Sequence, residues 1–173
     1  MNAFQYLKKN GIKHTINIIY AYKIDIIIRK ILGVVLKNRP LQDIIVIESH
    51  NDFDSNGGAF YNYLIKNGYN RKYKIVWAIK HPETVPQSLP ENVTWYAAHK
   101  PGIKKNYYKW IAKYFTSDND CSAKLRDNQK AIYFGHGGFG LKNCKGYIKL
   151  PEKLDYLAMP SKYLKNIFSD QLM

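Results

Sequence analysis

Short apolar runs alternate with helix-forming segments from residue 41 onward, and this alternation limits the fold more than any other feature of the chain. The run at 44–48 has the length and composition of a buried strand. A polar loop and a helical segment at 59–67 follow it, and Gly68 ends that helix. Further strands are predicted at 73–79, 93–97, 114–116, 130–134 and 154–159, with a helix at 102–113 and a last helix that Ser161 caps. Strands that alternate with helices predict an α/β fold with a Rossmann-like parallel sheet over residues 41–173.

The first 40 residues form a separate segment that is both basic and apolar. Eight lysine or arginine residues and one acid, Asp25, give it a net charge of +7, half of the +14 that the chain carries. Charges within 16–36 argue against a membrane-spanning helix, because a charge near the centre of such a helix is costly in lipid. On a helix, one face gathers apolar side chains: Ile16, Tyr20, Ile24, Ile27, Ile28, Ile31, Val34 and Val35. The segment is predicted to be a basic amphipathic helix, ended at Pro40, which either contacts a membrane surface or packs as a core helix.

The positive charge of the whole chain favours an anionic partner, which is a membrane surface, a nucleic acid or a phosphorylated substrate. A solvated basic surface without a partner is the alternative. The sequence holds no recognition motif of a known nucleic-acid-binding class, so nucleic acid is not expected. Cys121 and Cys144 lack the spacing of metal ligands, and no metal site is predicted.

A glycine cluster follows the predicted strand at 130–134. Its sequence is Gly135-His136-Gly137-Gly138-Phe139-Gly140, which has the spacing of a dinucleotide-binding fingerprint. That site also needs a helix directly after the glycines and an acid at the end of the next strand. The segment 141–153 is a poor helix, and Asp155 opens its strand instead of closing it. Dinucleotide binding is therefore disfavoured, and no cofactor is predicted.

The histidine within this cluster is the better functional candidate. An imidazole at the carboxyl end of a strand can accept a proton from a hydroxyl near neutral pH. Lys142 follows closely, and a lysine can hold phosphate oxygens. We predict His136 as a catalytic residue. The predicted substrate-binding residues beside it are Gly135, Gly137, Gly138 and Lys142.

The polar loop at 49–58 resembles the first half of a calcium-binding EF-hand loop. The chelating glutamate of such a loop would fall on Tyr63, which cannot chelate, so calcium is rejected. We predict instead a strand-to-helix turn in which Ser55 or Asn56 caps the helix, and a helix N-terminus there favours phosphate. Substrate binding is predicted for Ser49, Asn56 and Ser161, with His50 as a second candidate. The segment 118–120 is predicted to be a turn.

The order and spacing of these segments resemble the N-terminal half of the CDP-glycerol glycerophosphotransferase family, whose members make teichoic acids and related polyol-phosphate polymers. The similarity covers about residues 44–170. Its landmarks are 44–49 with the polar turn, 59–64, 73–77, 107–114, His136-Gly137 with Leu141-Lys142, and 160–163.

The resemblance implies a GT-B fold of two Rossmann-like domains, of which this chain supplies the N-terminal, acceptor domain. It implies that His136 deprotonates the terminal hydroxyl of the acceptor for attack on the β-phosphate of the donor, with release of CMP. The family pattern Trp-His-Gly-Thr-Pro-Leu-Lys is altered here, since Gly135 replaces the tryptophan and three residues, 138–140, replace Thr-Pro. The family's CDP-binding residues lie in a second domain, so the chain is expected to be the acceptor half only.

The implied partners are a CDP-activated polyol-phosphate donor and a polymer or lipid-linked acceptor, of the teichoic acid or capsule type. Together with the basic helix they predict a peripheral protein at the cytoplasmic face of the membrane. A non-enzymatic basic module that binds anionic membrane or nucleic acid is the alternative function, motivated by the charge and by fifteen tyrosines.

Overall fold

Six parallel strands form one sheet in the computed structural model, which describes residues 11–118, 124–135, 154–158, 161–166 and 170. The strands are β1 (Gln42–Glu48), β2 (Lys74–Ile79), β3 (Val93–Ala97), β4 (Ala112–Ser117), β5 (Lys130–Tyr133) and β6 (Tyr156–Leu157). The helices are α1 (Ile12–Leu36), α2 (Ser55–Lys66) and α3 (Ile103–Ile111). Single 3-10 turns lie at Tyr69–Arg71, Pro82–Thr84 and Lys162–Leu164. The Rossmann-like α/β fold predicted from the sequence is confirmed.

The apolar run of β1 lies at the centre of the sheet because both of its faces are covered. Ile44 and Val46 belong to a core cluster with Tyr108 and Ile111 of α3. Side chains of β1 that point the other way, including Ile47, pack in a second cluster with Leu64 of α2. A strand covered on both faces carries a continuous apolar run instead of an alternating one.

The strands lie in the order β3-β2-β1-β4-β5-β6. The chain adds β2 and β3 on one side of β1 and then adds β4, β5 and β6 on the other side. Both neighbours of β1 pair with it in parallel, so the carboxyl ends of β1 and β4 lie side by side. In open α/β sheets such a reversal leaves a crevice beyond the carboxyl ends of the strands, where ligands bind. This edge therefore defines where a site is expected.

Helix α1 packs on α3 through polar contacts. The Asp25 carboxylate accepts a hydrogen bond from Asn106 Nδ2 at 2.8 Å and pairs with Lys105 Nζ at 3.0 Å. Burial alone would raise the pKa of Asp25, but the hydrogen bonds from Lys105 and Asn106 outweigh it and hold that pKa below its ordinary value. Trp110 Nε1 donates to the Arg29 carbonyl at 2.8 Å. These polar contacts hold the helix on the domain together with Leu36, which packs against the core, and Gly33, which lies against the Trp110 ring.

Some apolar side chains of α1 are exposed and others face the domain. Those that are 57–77% exposed are Ile16, Tyr20, Ile31 and Val34. Ile24 and Ile28 are partly buried, and Leu36 packs against the core. The inward side agrees with the core-helix alternative, and the outward side leaves an apolar surface exposed. No helix in the described part of the chain is long and apolar enough to span a bilayer.

The last predicted helix is confirmed in part. Ser161 precedes a 3-10 turn at Lys162–Leu164, and its side chain makes no capping hydrogen bond. Residues 165, 166 and 170 are helical. The prediction that the Ser161 side chain caps the helix is therefore wrong.

Candidate functional site

Three chain segments meet beyond the carboxyl ends of β1, β4 and β5. They are the β1–α2 loop at 49–54, Asp118 after β4, and the pair 134–135 after β5. Parallel strands end at the same edge of a sheet, and hydrogen bonds between side chains and backbone join the three segments there. We call this region the carboxyl edge.

Asp118 is the organising residue of the carboxyl edge. Its side chain is fully buried, and its carboxylate accepts hydrogen bonds from Ser49 Oγ at 2.8 Å, from the His50 N–H at 2.7 Å and from the Gly57 N–H at 2.9 Å. Hydrogen bonds to an ionised acceptor are about twice as strong as those between neutral groups. One carboxylate therefore fixes both ends of the β1–α2 loop.

The start of α2 differs from the sequence prediction. Asp54 occupies the N-cap position, and no side chain makes a capping hydrogen bond. The prediction that Ser55 or Asn56 caps this helix is wrong. Because the Gly57 amide already donates to the Asp118 carboxylate, the first turn of α2 does not offer that amide to a phosphate.

Two glycines in this turn are required by close backbone approach. A Cβ atom on Gly57 would lie 2.8 Å from the Ser49 Cβ, and one on Gly58 would lie 2.5 Å from the Phe53 carbonyl oxygen. Both distances are shorter than side-chain atoms tolerate. The turn can therefore pack against β1 only with glycine at these two positions.

Asn56 connects α2 to the glycine cluster. Its Nδ2 donates to the Gly135 carbonyl at 2.9 Å. Gly135 is buried and has a φ of 70°, in the left-handed region that glycine adopts at low cost. The rings of Phe60 and Phe134 pack with their centroids 5.1 Å apart and reinforce the contact. The backbone position directly before His136 is thus held against α2.

Asp52 fastens the other side of the same loop. Its carboxylate accepts hydrogen bonds from the Lys80 N–H at 3.0 Å and from the His81 N–H at 2.6 Å, just beyond β2. The side chain that suggested a calcium loop therefore binds backbone amides. Among the described residues, no group of three or more histidine, cysteine, aspartate or glutamate side chains is placed to hold a metal ion.

The predicted site residues fall into three groups. Ser49, Asn56 and Gly135 come together at the carboxyl edge, where Ser49 is fully buried and hydrogen-bonded to Asp118. Ser161 is exposed beyond β6, and no described contact brings it to that edge. The others, His136, Gly137, Gly138 and Lys142, lie outside the described residues. Substrate binding by these residues stays a prediction.

Asp118 is the functional candidate that sequence reasoning missed. The sequence places it in a polar turn after a strand, and its partners are 61–69 residues away in the chain. One local signal was available, since Asp118 directly follows the buried end of β4. A carboxylate there needs hydrogen-bond donors from neighbouring loops.

The fold and the edge define the chain as a doubly wound α/β domain whose ligand crevice lies beyond β1 and β4. Its fold is similar to that of solved structures of the wall teichoic acid polymerase TagF. A histidine-to-asparagine variant soaked with CDPG matches with a TM-score of 0.68 and 18% identity, over 99% of this chain and 46% of that chain. Unsubstituted TagF gives a TM-score of 0.68 and 19% identity, over 99% and 45%. A histidine-to-alanine variant gives 0.67 and 18%, over 99% and 45%.

These matches confirm the Rossmann-like α/β fold of this chain, one domain of the kind that the family resemblance implies. The chain spans less than half of the length of the TagF chains it matches. No protein-family model matches the sequence. No curated protein matches it by sequence either.

Proposed function

We propose that this chain is the acceptor-side domain of a polyol-phosphate transferase. The observation that carries the proposal is the connected set of hydrogen bonds at the carboxyl edge. Asp118 holds the β1–α2 loop, and Asn56 holds the Gly135 carbonyl directly before His136. The TagF-like fold supports this choice of reaction class.

In the proposed reaction, the His136 imidazole accepts the proton of the terminal hydroxyl of an acceptor polymer. The hydroxyl oxygen forms a bond to the β-phosphorus of a CDP-activated polyol phosphate, such as CDP-glycerol. The bond from that phosphorus to the bridging oxygen breaks, and CMP leaves with the electron pair. Lys142 offsets the negative charge of the phosphate oxygens during transfer.

The carboxyl edge contributes orientation to this reaction. A general base must lie within hydrogen-bond reach of the proton that it takes, and a misplacement of about 1 Å can cost about 100-fold in rate. Asn56 fixes the Gly135 carbonyl, and residues 137 and 138 are glycines, which carry no side chain to keep a substrate from the backbone. The donor would be bound by a second domain, as the family resemblance implies.

The exposed side of α1 supports a second part of the proposal, a peripheral position on an anionic membrane. Its outward apolar side chains, including Ile31 and Val34, are accompanied by the exposed lysines Lys23 and Lys30. Apolar side chains between lysines bind the interface of a bilayer that carries anionic lipid. The acceptor of a cell-surface polymer would be presented at the cytoplasmic face.

The catalytic part is tested by CMP release from CDP-glycerol with a glycerol-phosphate primer, using protein expressed from its complete reading frame. We expect His136→Ala to lower the rate by about 100- to 10,000-fold, the usual contribution of a general base. His81→Ala is the control, because its imidazole is 67% exposed and contacts Glu83, and the substitution keeps the backbone N–H that donates to Asp52. Retained CMP release in His136→Ala would remove His136 as the base.

A further inference from the structure

A pocket outside the carboxyl edge lies between the edge strand β3 and the first turn of α3. Its volume is about 310 Å³, and it is lined by residues 95–97, by the loop 100–102 and by Lys104 and Lys105. Three of the lining residues are lysines and none is acidic. Strand β3 is four strands away from β5, the strand that His136 follows, a distance of about 19 Å in a sheet. The pocket is therefore separate from the proposed reaction and lies on the same sheet.

The three lysines of the pocket differ in their partners. Lys105 is used within the fold, because its ammonium pairs with Asp25 at 3.0 Å and donates to the Ala98 carbonyl at 3.0 Å. Lys104 Nζ donates to Thr94 Oγ1 at 2.8 Å, a neutral partner that leaves two N–H donors of the ammonium. Lys100 is exposed. Two cations of the pocket can therefore still pair with an anion.

The charges around these two lysines also favour an anion. Partial burial and the charge of Lys74 lower the pKa of Lys104, as expected for an ammonium in a positive field. The charge of Lys100 interacts with the carboxylate of Glu83, whose side chain is 72% exposed. Two further acids, Asp25 and Glu48, act on the pocket-lining Tyr96, and Asp25 is already paired with Lys105.

Two residues of β3 that line the pocket direct their backbone N–H groups away from β2. The Ala98 N–H donates to the Ile79 carbonyl of β2 at 2.7 Å, and the Asn92 carbonyl accepts from the Ile75 N–H at 2.9 Å. Residues of a parallel strand direct their N–H groups alternately to the two sides, so those of residues 95 and 97, which line the pocket, point away from β2. Within the described residues β3 is the edge of the sheet, so these two amides are not used by a further strand.

We infer that this pocket binds a phosphodiester group of the anionic acceptor chain. Lys100 and Lys104 pair with the phosphate oxygens, and the amides of Trp95 and Ala97 donate hydrogen bonds to them. The volume lies at the lower end of the range for small-ligand sites, which suits one polyol-phosphate unit. The inference rests on the proposed function, and it places one phosphate of the acceptor polymer at β3, four strand spacings from β5, the strand that His136 follows.

Calorimetric titration with a soluble oligomer of glycerol phosphate tests the pocket in the chain itself. We expect the double variant Lys100→Gln/Lys104→Gln to bind the oligomer about 100-fold more weakly, about tenfold for each lost charged contact. The control is Lys66→Gln/Lys72→Gln, which removes the same charge from exposed positions outside the pocket. We expect the control to bind within about threefold of the wild type, since exposed charges at a distance are screened.

Three results would overturn the inference. The double variant could bind the oligomer as tightly as the control does. The wild type could bind vesicles of phosphatidylglycerol through these lysines but not the soluble oligomer, which would make the site one for a lipid headgroup. The double variant could self-associate without any loss of oligomer binding. The lysines would then serve to prevent the edge strand β3 from pairing with another copy of the chain. None of these results depends on CMP release, so the pocket and the proposed reaction fail separately.

Discussion

Two buried carboxylates hold this molecule together in different ways. At the carboxyl edge, the described partners of Asp118 are a hydroxyl and two backbone amides, all neutral groups from one loop and one helix start. Where α1 meets α3, Asp25 instead pairs with a cation, Lys105, and with the amide of Asn106. Asp118 positions a loop whose geometry the proposed reaction needs, whereas Asp25 docks a helix that keeps several large apolar side chains exposed.

The difference predicts two separate responses to mutation. Loss of Asp118 removes the acceptor of the His50 and Gly57 amides and the negative charge at the start of α2. We expect Asp118→Ala to lower the free energy of unfolding by about 4 kcal/mol, about 1–3 kcal/mol each for the buried Gly57 amide and the partly buried His50 amide, which both lose this acceptor. Urea denaturation measures this change. Asp43→Ala is the control, and we expect a loss of no more than about 1 kcal/mol because its pair with Lys113 is exposed.

Loss of Asp25 is expected to destabilise the fold less than loss of Asp118 does. We expect Asp25→Ala to lower the free energy of unfolding by about 3 kcal/mol, because Lys105 loses its counter-ion in a buried site but keeps the carbonyl of Ala98. Hydrogen exchange separates the two variants. Asp25→Ala should speed exchange in α1 and leave the β1–α2 loop protected, and Asp118→Ala should do the reverse. Faster exchange in both regions for either variant would show that the two carboxylates act on one cooperative unit.

The low pKa of Asp25 gives the same contact a pH dependence. A carboxyl whose folded pKa lies below its unfolded value stabilises the fold above the unfolded pKa, and this contribution is lost as pH falls through the folded value. Acidification below about pH 4 should therefore loosen α1 in the wild type. The Asp25→Ala variant should lack this part of the acid response.

The exposed side of α1 is tested by vesicle binding. We expect Ile31→Ser/Val34→Ser to weaken binding to vesicles that contain phosphatidylglycerol by about tenfold, because each apolar side chain loses its burial in the interface. Ile103→Ser, at an exposed apolar position on α3, is the control. Equal binding of the wild type to neutral and anionic vesicles would contradict the membrane proposal.

Local patterns predicted the strands well, because a strand covered on both faces must be apolar along its length, as β1 is. The predicted start of α2, residue 59, is four residues later than its start in the structure, Ser55. The residues Ser55-Asn56-Gly57-Gly58 have low helix propensity, but the first turn forms because its glycines allow contact with Ser49 and Phe53.

The orientation of α1 and the role of Asp118 could not be read from sequence. A helical wheel does not show which apolar side chains of α1 face the domain, because the ion pair that docks Asp25 comes from Lys105, 80 residues further along the chain. Asp118 likewise depends on partners from β1 and α2, which only the strand order brings to it. Hydrogen bonds and ion pairs between residues far apart in the chain produce no periodic pattern in the local sequence, so a local pattern cannot predict them.

The central claim is that hydrogen bonds at the carboxyl edge position His136 for catalysis, and the kinetics of Asn56→Ala test it most directly. Asn67→Ala is the matched control, since its side chain donates to the Tyr63 carbonyl at the far end of α2. CMP release is measured over a range of primer concentrations. The account predicts that Asn56→Ala lowers kcat by about 10- to 100-fold with little change in KM, while Asn67→Ala leaves both unchanged. An unchanged kcat in Asn56→Ala would contradict it.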